Sequence, residues 1–131
     1  MNTFKATITK IQNNECLNIV NFDFSSQNLS MMSLELSKNL KVGSEVELTA
    51  KSTHIAIAKA FSGELSYSNQ LKAKILSINN AQLLSSIKLS CGDMICESVI
   101  TKNSSLRMNL QVDDEVTLLI KASELSIKRI L

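Results

Sequence analysis

The strongest constraint on this chain is that it reads twice. Asn2 to Ile11 (NTFKATITKI) is matched by Asn69 to Ile78 (NQLKAKILSI), 67 residues on, and Val42 to Lys51 (VGSEVELTAK) by Val112 to Lys121 (VDDEVTLLIK), 70 residues on. The order of segments is kept, and the second copy carries a net insertion of three residues. Two copies of about 60 residues are too few for a solenoid, which needs at least three. A tandem of two small domains, 1–61 and 65–131, is expected, joined through the connector Ala60–Glu64. The competing reading is one all-β sandwich in which the repeat is accidental.

Each copy has the period of β-structure. Phe4, Ala6 and Ile8 alternate with Lys5 and Thr7, Leu71, Ala73 and Ile75 with Lys72 and Lys74, and Val46, Leu48 and Ala50 with Glu47 and Thr49. An alternation of two gives a strand one apolar and one polar face. About five such strands fall in each copy. One short stretch per copy, Leu34–Leu40 and Ser104–Leu110, reads as a helical turn. The fold expected is therefore all-β: two tandem OB-like five-stranded β-barrels, each with a short helical turn. A barrel this small is marginal alone, so the copies should pack on each other or on further subunits. The four Phe and the pair Met31-Met32 are expected in the cores.

Composition removes several classes of function. With 44% hydrophobic and 20% charged residues the chain is globular rather than disordered. No apolar run approaches the roughly 20 residues that cross a bilayer, and the N-terminus lacks the apolar stretch of a secretion signal; a cytoplasmic protein without membrane insertion is expected. Basic and acidic residues are interspersed around a net charge of +2, so no face is marked for nucleic acid. Aromatics are 4%, and Tyr67 alone is expected to be exposed, whereas an OB module for nucleic acid stacks bases on aromatics. The three cysteines, Cys16, Cys91 and Cys96, are an odd number and read as reduced thiols. With Gly92-Asp93 as a hairpin tip, Cys91 faces Met94 and Cys96 faces Leu89, which is the wrong register for a disulfide. One histidine, His54, and scattered thiols do not make a metal site. No nucleophile has a base beside it in the sequence, so neither an enzyme nor a bound cofactor is expected.

Three short motifs stand in order in the second copy: Ser66-Tyr67-Ser68-Asn69-Gln70-Leu71, then Ile100-Thr101-Lys102-Asn103-Ser104, then Ile120-Lys121-Ala122-Ser123. Together they resemble the Mop domain of molbindins, the TOBE-type molybdate-binding domain, in its tandem form. That family has Ser-Ala-Arg-Asn-Gln-Leu, Ile-Thr-x-x-Ser and Ile-Lys-Ala-Ser in this order. The likeness covers residues 66–129 closely and 2–59 more loosely. It implies a site for molybdate or tungstate between domain units, in a homo-oligomer (dimer or trimer). Carried over, Thr101 and Ser104 donate from hydroxyls, Lys121 adds charge, Ala122 and Ser123 supply further donors, and Ser66, Ser68 and Asn69 come from the neighbouring unit. The chemistry is sound on its own terms. A tetrahedral dianion offers only acceptors, so its site needs converging donors and little negative charge, and lysine adds charge without a planar requirement.

Two departures from the family matter. Ser68 stands where the family has arginine, which removes a cation. In the first copy the 70-residue offset aligns Met31 and Leu34 with Thr101 and Ser104, and neither can donate. Lys51-Ser52-Thr53 still echoes Lys121-Ala122-Ser123, as a degenerate second site. Each residue also has a plainer use: Thr101 and Ser104 as a helix cap, Lys121 as a solvated lysine, Ser123 as a loop hydroxyl, His54 as an exposed side chain. Storage, homeostasis or sensing of the anion is the function implied. The alternatives are a regulatory or accessory domain acting on a molybdate transporter or transcription regulator, and the nucleic-acid-binding OB module. The chain has neither a phosphate-loop motif nor room for a helix-turn-helix unit.

Overall fold

The computed structural model describes residues 2–131. The first copy forms β1 (Asn2–Asn14), β2 (Leu17–Phe24), β3 (Gln27–Ser33), β4 (Glu45–Ala50) and β5 (Ala56–Ala58). The second forms β6 (Asn69–Asn80), β7 (Leu84–Cys91), β8 (Met94–Thr101), β9 (Glu115–Ile120) and β10 (Ser126–Ile130), with one helix, α1 (Lys102–Arg107), before β9. Short 3₁₀ turns, Ser52–His54 and Ala122–Glu124, precede β5 and β10.

The two five-stranded sheets do not follow the two copies. Their orders are β10-β4-β1-β2-β3 and β5-β9-β6-β7-β8, so each copy gives its last strand to the other. The cause is local. Lys51 and Ile55 flank the first 3₁₀ turn in extended conformation, and Lys121 and Leu125 flank the second likewise. The chain is carried onward across the molecule rather than folded back. Within each sheet one long strand does most of the curling. β1 pairs with β4 through its first half and with β2 through its second, with a register break between Ile8 and Lys10. β6 repeats this with a break between Ile75 and Ser77. Such bulges bend a strand and increase its twist, which gives the OB-like curvature.

The alternating residues point inward as expected. Phe4, Ile8, Leu48, Leu71, Ile75 and Leu118 are fully buried in a core cluster that draws on both sheets. Phe4 meets Phe24 edge to face, with ring centres 5.3 Å apart. Cys91 pairs with Met94 and Cys96 with Leu89 around the Gly92-Asp93 tip. Both thiols are buried, and burial pushes them up, Cys91 to about 11 and Cys96 to about 12. They are unreactive core residues.

An approximate two-fold relates the halves, because equivalent features meet. The hairpin tip at Gly92 (φ +57) lies against Ser25, its own counterpart in the first copy. A Cβ on Gly92 would come within 2.8 Å of the Ser25 Cβ, so only glycine suits this contact. His54 and Glu124, also equivalent positions, pair at 3.0 Å. Each exchanged strand, or the residue just after it, is tied to its host sheet by charge. Lys128 and Arg129 reach Glu47 at 3.4 Å each, and Lys59 reaches Asp114 at 3.0 Å.

Several expectations are corrected. No helix forms over Leu34–Leu40; the helical turn belongs to the second copy alone, beginning at Lys102. Thr101 accepts a hydrogen bond from the Ser104 N–H and caps α1. Its counterpart is Leu34, because Asn18 pairs with Ser33 as Ser85 pairs with Ile100, and the 67-residue offset holds to the end of β3. Met31 is therefore equivalent to Ser98, not to Thr101. Leucine cannot cap, and Ser33 instead bonds both the N–H and the carbonyl of Glu35, a local turn that competes with a helix. Of the presumed core residues, Met31 is 3% exposed but Met32 is 45% exposed; Leu34 is 70% exposed. Phe61, in the connector, is also largely exposed.

Candidate functional site

Two of the expected residues, Asn69 and Ser52, are committed to the fold. Asn69 is fully buried. Its amide accepts from the Ser30 N–H at 2.7 Å and donates to the Ser30 carbonyl at 3.0 Å. This plugs the free edge of β3 as an added strand would. Asn2 does the same to Glu97 on the edge of β8. Ser52, in the degenerate motif, donates its one hydroxyl proton to Glu97 at 3.2 Å. The Ser86 hydroxyl, 2.7 Å from the same carboxylate, is the main cause of a lowered Glu97 pKa, and Ser52 adds to it against partial burial.

The remaining residues form two groups. The β6–β9 ladder pairs Asn69 with Ile120, so Ser68 and Lys121 leave that end of the sheet side by side. Ser66, Ser68, Lys121 and Ser123 are all exposed there, with Ala122 half-buried. The turn Ala122–Glu124 packs on β3 of the other sheet. Thr53 and Lys51 are exposed on the equivalent turn, which packs on β8. The first and third motifs are thus neighbours within one chain.

The middle motif is elsewhere. Thr101 ends β8 opposite Leu84, at the start of β7, and β7 begins beside the last residues of β6, with Ser85 paired to Asn80. Thr101 and Ser104 therefore stand at the far end of β6 from Ser68 and Lys121, about 36 Å away along the strand at about 3.3 Å per residue. There the Thr101 hydroxyl donates to Ser104 Oγ at 3.0 Å, and Arg107 donates to the same oxygen at 3.2 Å. Ser104 keeps its own proton to give. Beside them a cleft of about 520 Å³ is lined by Leu83, Leu84, Thr101, Lys102, Asn103 and Leu106. Arg107 was not singled out by motif. The only signal for it is its position three residues after Ser104, which a helix converts into contact.

Among the described residues no group of three or more His, Cys, Asp or Glu side chains is placed to hold a metal. No described helix is long and apolar enough to cross a membrane. Fold and surface define a class: a tandem of small OB-like β-units that exchange their last strands and present hydroxyls and cations at their ends. Residues 65–127, the second repeat, match the family model of the TOBE domain. The structure is similar to a crystal structure of the cytoplasmic molybdate-binding protein ModG with molybdate bound. The TM-score is 0.91 at 22% identity, over 96% of this chain and 94% of that one. No curated protein matches the sequence.

Proposed function

We propose that this protein binds molybdate or tungstate as an intact oxyanion in the cytoplasm, and that it stores or senses the anion rather than transforming it. One observation carries the reading: the three motifs sit on a TOBE-family fold that follows the molybdate-bound ModG structure along nearly its whole length. The chemistry supports it. Ser104, Lys121 and Ser123 present donors, Thr101 orients the Ser104 proton outward, and none of the proposed ligands is a carboxylate. Phosphate carries a proton near neutral pH and would leave it facing other donors, so it should bind poorly.

The separation of the two groups bears on assembly. A tetrahedral anion spans a few ångströms and cannot bridge opposite ends of β6. If one anion uses both groups, Lys121 must come from one copy and Thr101 from another. A homo-oligomer, dimer or trimer, follows from this reading, with sites between copies. Thermal unfolding tests the proposal, because a ligand of the native state stabilises it by about 2.7 kcal/mol at a hundred times its Kd. Millimolar molybdate or tungstate should raise Tm by several degrees. No shift with either anion would end the proposal.

A further inference from the structure

We propose that Arg107 supplies the cation of the oxyanion site at Thr101 and Ser104, in place of the arginine that Ser68 lacks; this rests on the oxyanion reading above. The geometry of the two groups leads to it. Lys121 and Ser68 both lie at the other end of β6 from Thr101, so within one chain neither of those family cation positions serves this hydroxyl pair. A dianion held by a pair of neutral hydroxyls alone recovers only part of its desolvation cost. Arg107 is the cation whose donor already touches the pair, Nη2 lying 3.2 Å from Ser104 Oγ.

The hydrogen bonds run in a useful direction. Thr101 and Arg107 both donate to Ser104 Oγ, which leaves the Ser104 proton pointing away from them. An anion oxygen placed against Ser104 receives that proton. The guanidinium has five N–H donors in a planar fork, and only one is used on Ser104. The rest can reach the same anion. Among the described residues Arg107 has no carboxylate within ion-pairing distance, so its charge is not already neutralised. The first copy can offer no equivalent. It lacks the helix, and Leu34 replaces Thr101, so this site occurs once per chain.

The test is calorimetric titration with sodium molybdate of the wild type, Arg107→Gln, Arg107→Lys and Lys10→Gln, at two ionic strengths. Arg107→Gln should weaken Kd at least tenfold and reduce its salt dependence, with Tm in the absence of anion unchanged. Arg107→Lys, which keeps the charge and loses the fork, should fall between the two. Lys10, exposed on β1 of the other sheet, controls for the loss of one positive charge, and its Gln variant should bind as the wild type does. If the wild type binds and Arg107→Gln stays within twofold of it, the role of Arg107 is refuted while the oxyanion reading stands. An equal loss in Lys10→Gln would refute it too, by assigning the effect to net charge, and a lowered Tm of anion-free Arg107→Gln would refute it by assigning the effect to the helix. If the wild type takes up no molybdate, the oxyanion reading fails and this inference with it.

Discussion

Thr101 shows how one side chain holds two jobs. Its hydroxyl accepts from the Ser104 N–H to start α1 and donates to Ser104 Oγ, so it caps the helix and, on the proposed reading, turns the Ser104 proton toward the anion. Thr101→Ala should cost about 1 kcal/mol of stability as a lost cap. It should also weaken molybdate binding, because Ser104 then loses the donor that leaves its own proton free for the anion. Thr101→Ser, which keeps the oxygen, should retain most of both; denaturant unfolding and calorimetry read the two effects separately. Met31 and Leu34 differ in the opposite way. Met31→Ala opens a cavity in the core and should cost about 2–5 kcal/mol, whereas Leu34→Ala, at an exposed position, should stay within about 0.5 kcal/mol. A large loss at Leu34 would mean that its side chain is covered in the assembled protein. The core was expected for Met31 and Met32 alike and holds only Met31. The 70-residue alignment of Met31 fails because the three-residue difference between the copies falls between β3 and β4, after Met31, so the 67-residue offset still applies to it.

At the level of elements, the strand exchange was invisible in the sequence. Leu125 and Ile127 announce an amphipathic strand but not its host, since alternation tells which face is buried and nothing about which neighbour pairs. The host is set by the extended turns and by the ion pairs that receive the exchanged strands. Burial alone would raise the Glu47 carboxyl, but Arg129 and Lys128 outweigh it and hold it below its ordinary value. Asp114 is lowered by its hydrogen bond from Lys59 and then by the Gln111 N–H. A carboxyl whose pKa is lower in the folded state stabilises the fold above its unfolded value, and that contribution is lost as pH falls through the folded one. Stability should therefore be level near neutral pH and decline below about pH 5. Glu47→Gln, which cannot titrate, should flatten part of that acid limb in a series of thermal melts. An unchanged limb would show that the pair with β10 contributes nothing to holding the exchange.

For the whole molecule, the repeat made a tandem of β-barrels legible, and the motif order pointed to the TOBE family. What could not be read was that the motifs of one copy divide between opposite ends of β6, because register and strand path, not motif spacing, decide where they emerge. The exchange also means that neither copy is complete alone. Residues 65–131 expressed by themselves lack β5, so β9 has no outer neighbour unless β10 of another copy takes its place; light scattering should find a dimer or an unfolded chain, and a folded monomer would contradict the exchange. The central claim, that this surface recognises a proton-free tetrahedral oxyanion by donors alone, is tested most directly by calorimetric titration of the full chain with molybdate, followed by competition with phosphate. Saturable molybdate binding that a large excess of phosphate leaves in place is the predicted result. No heat with molybdate, or displacement by phosphate as readily as by tungstate, would contradict it.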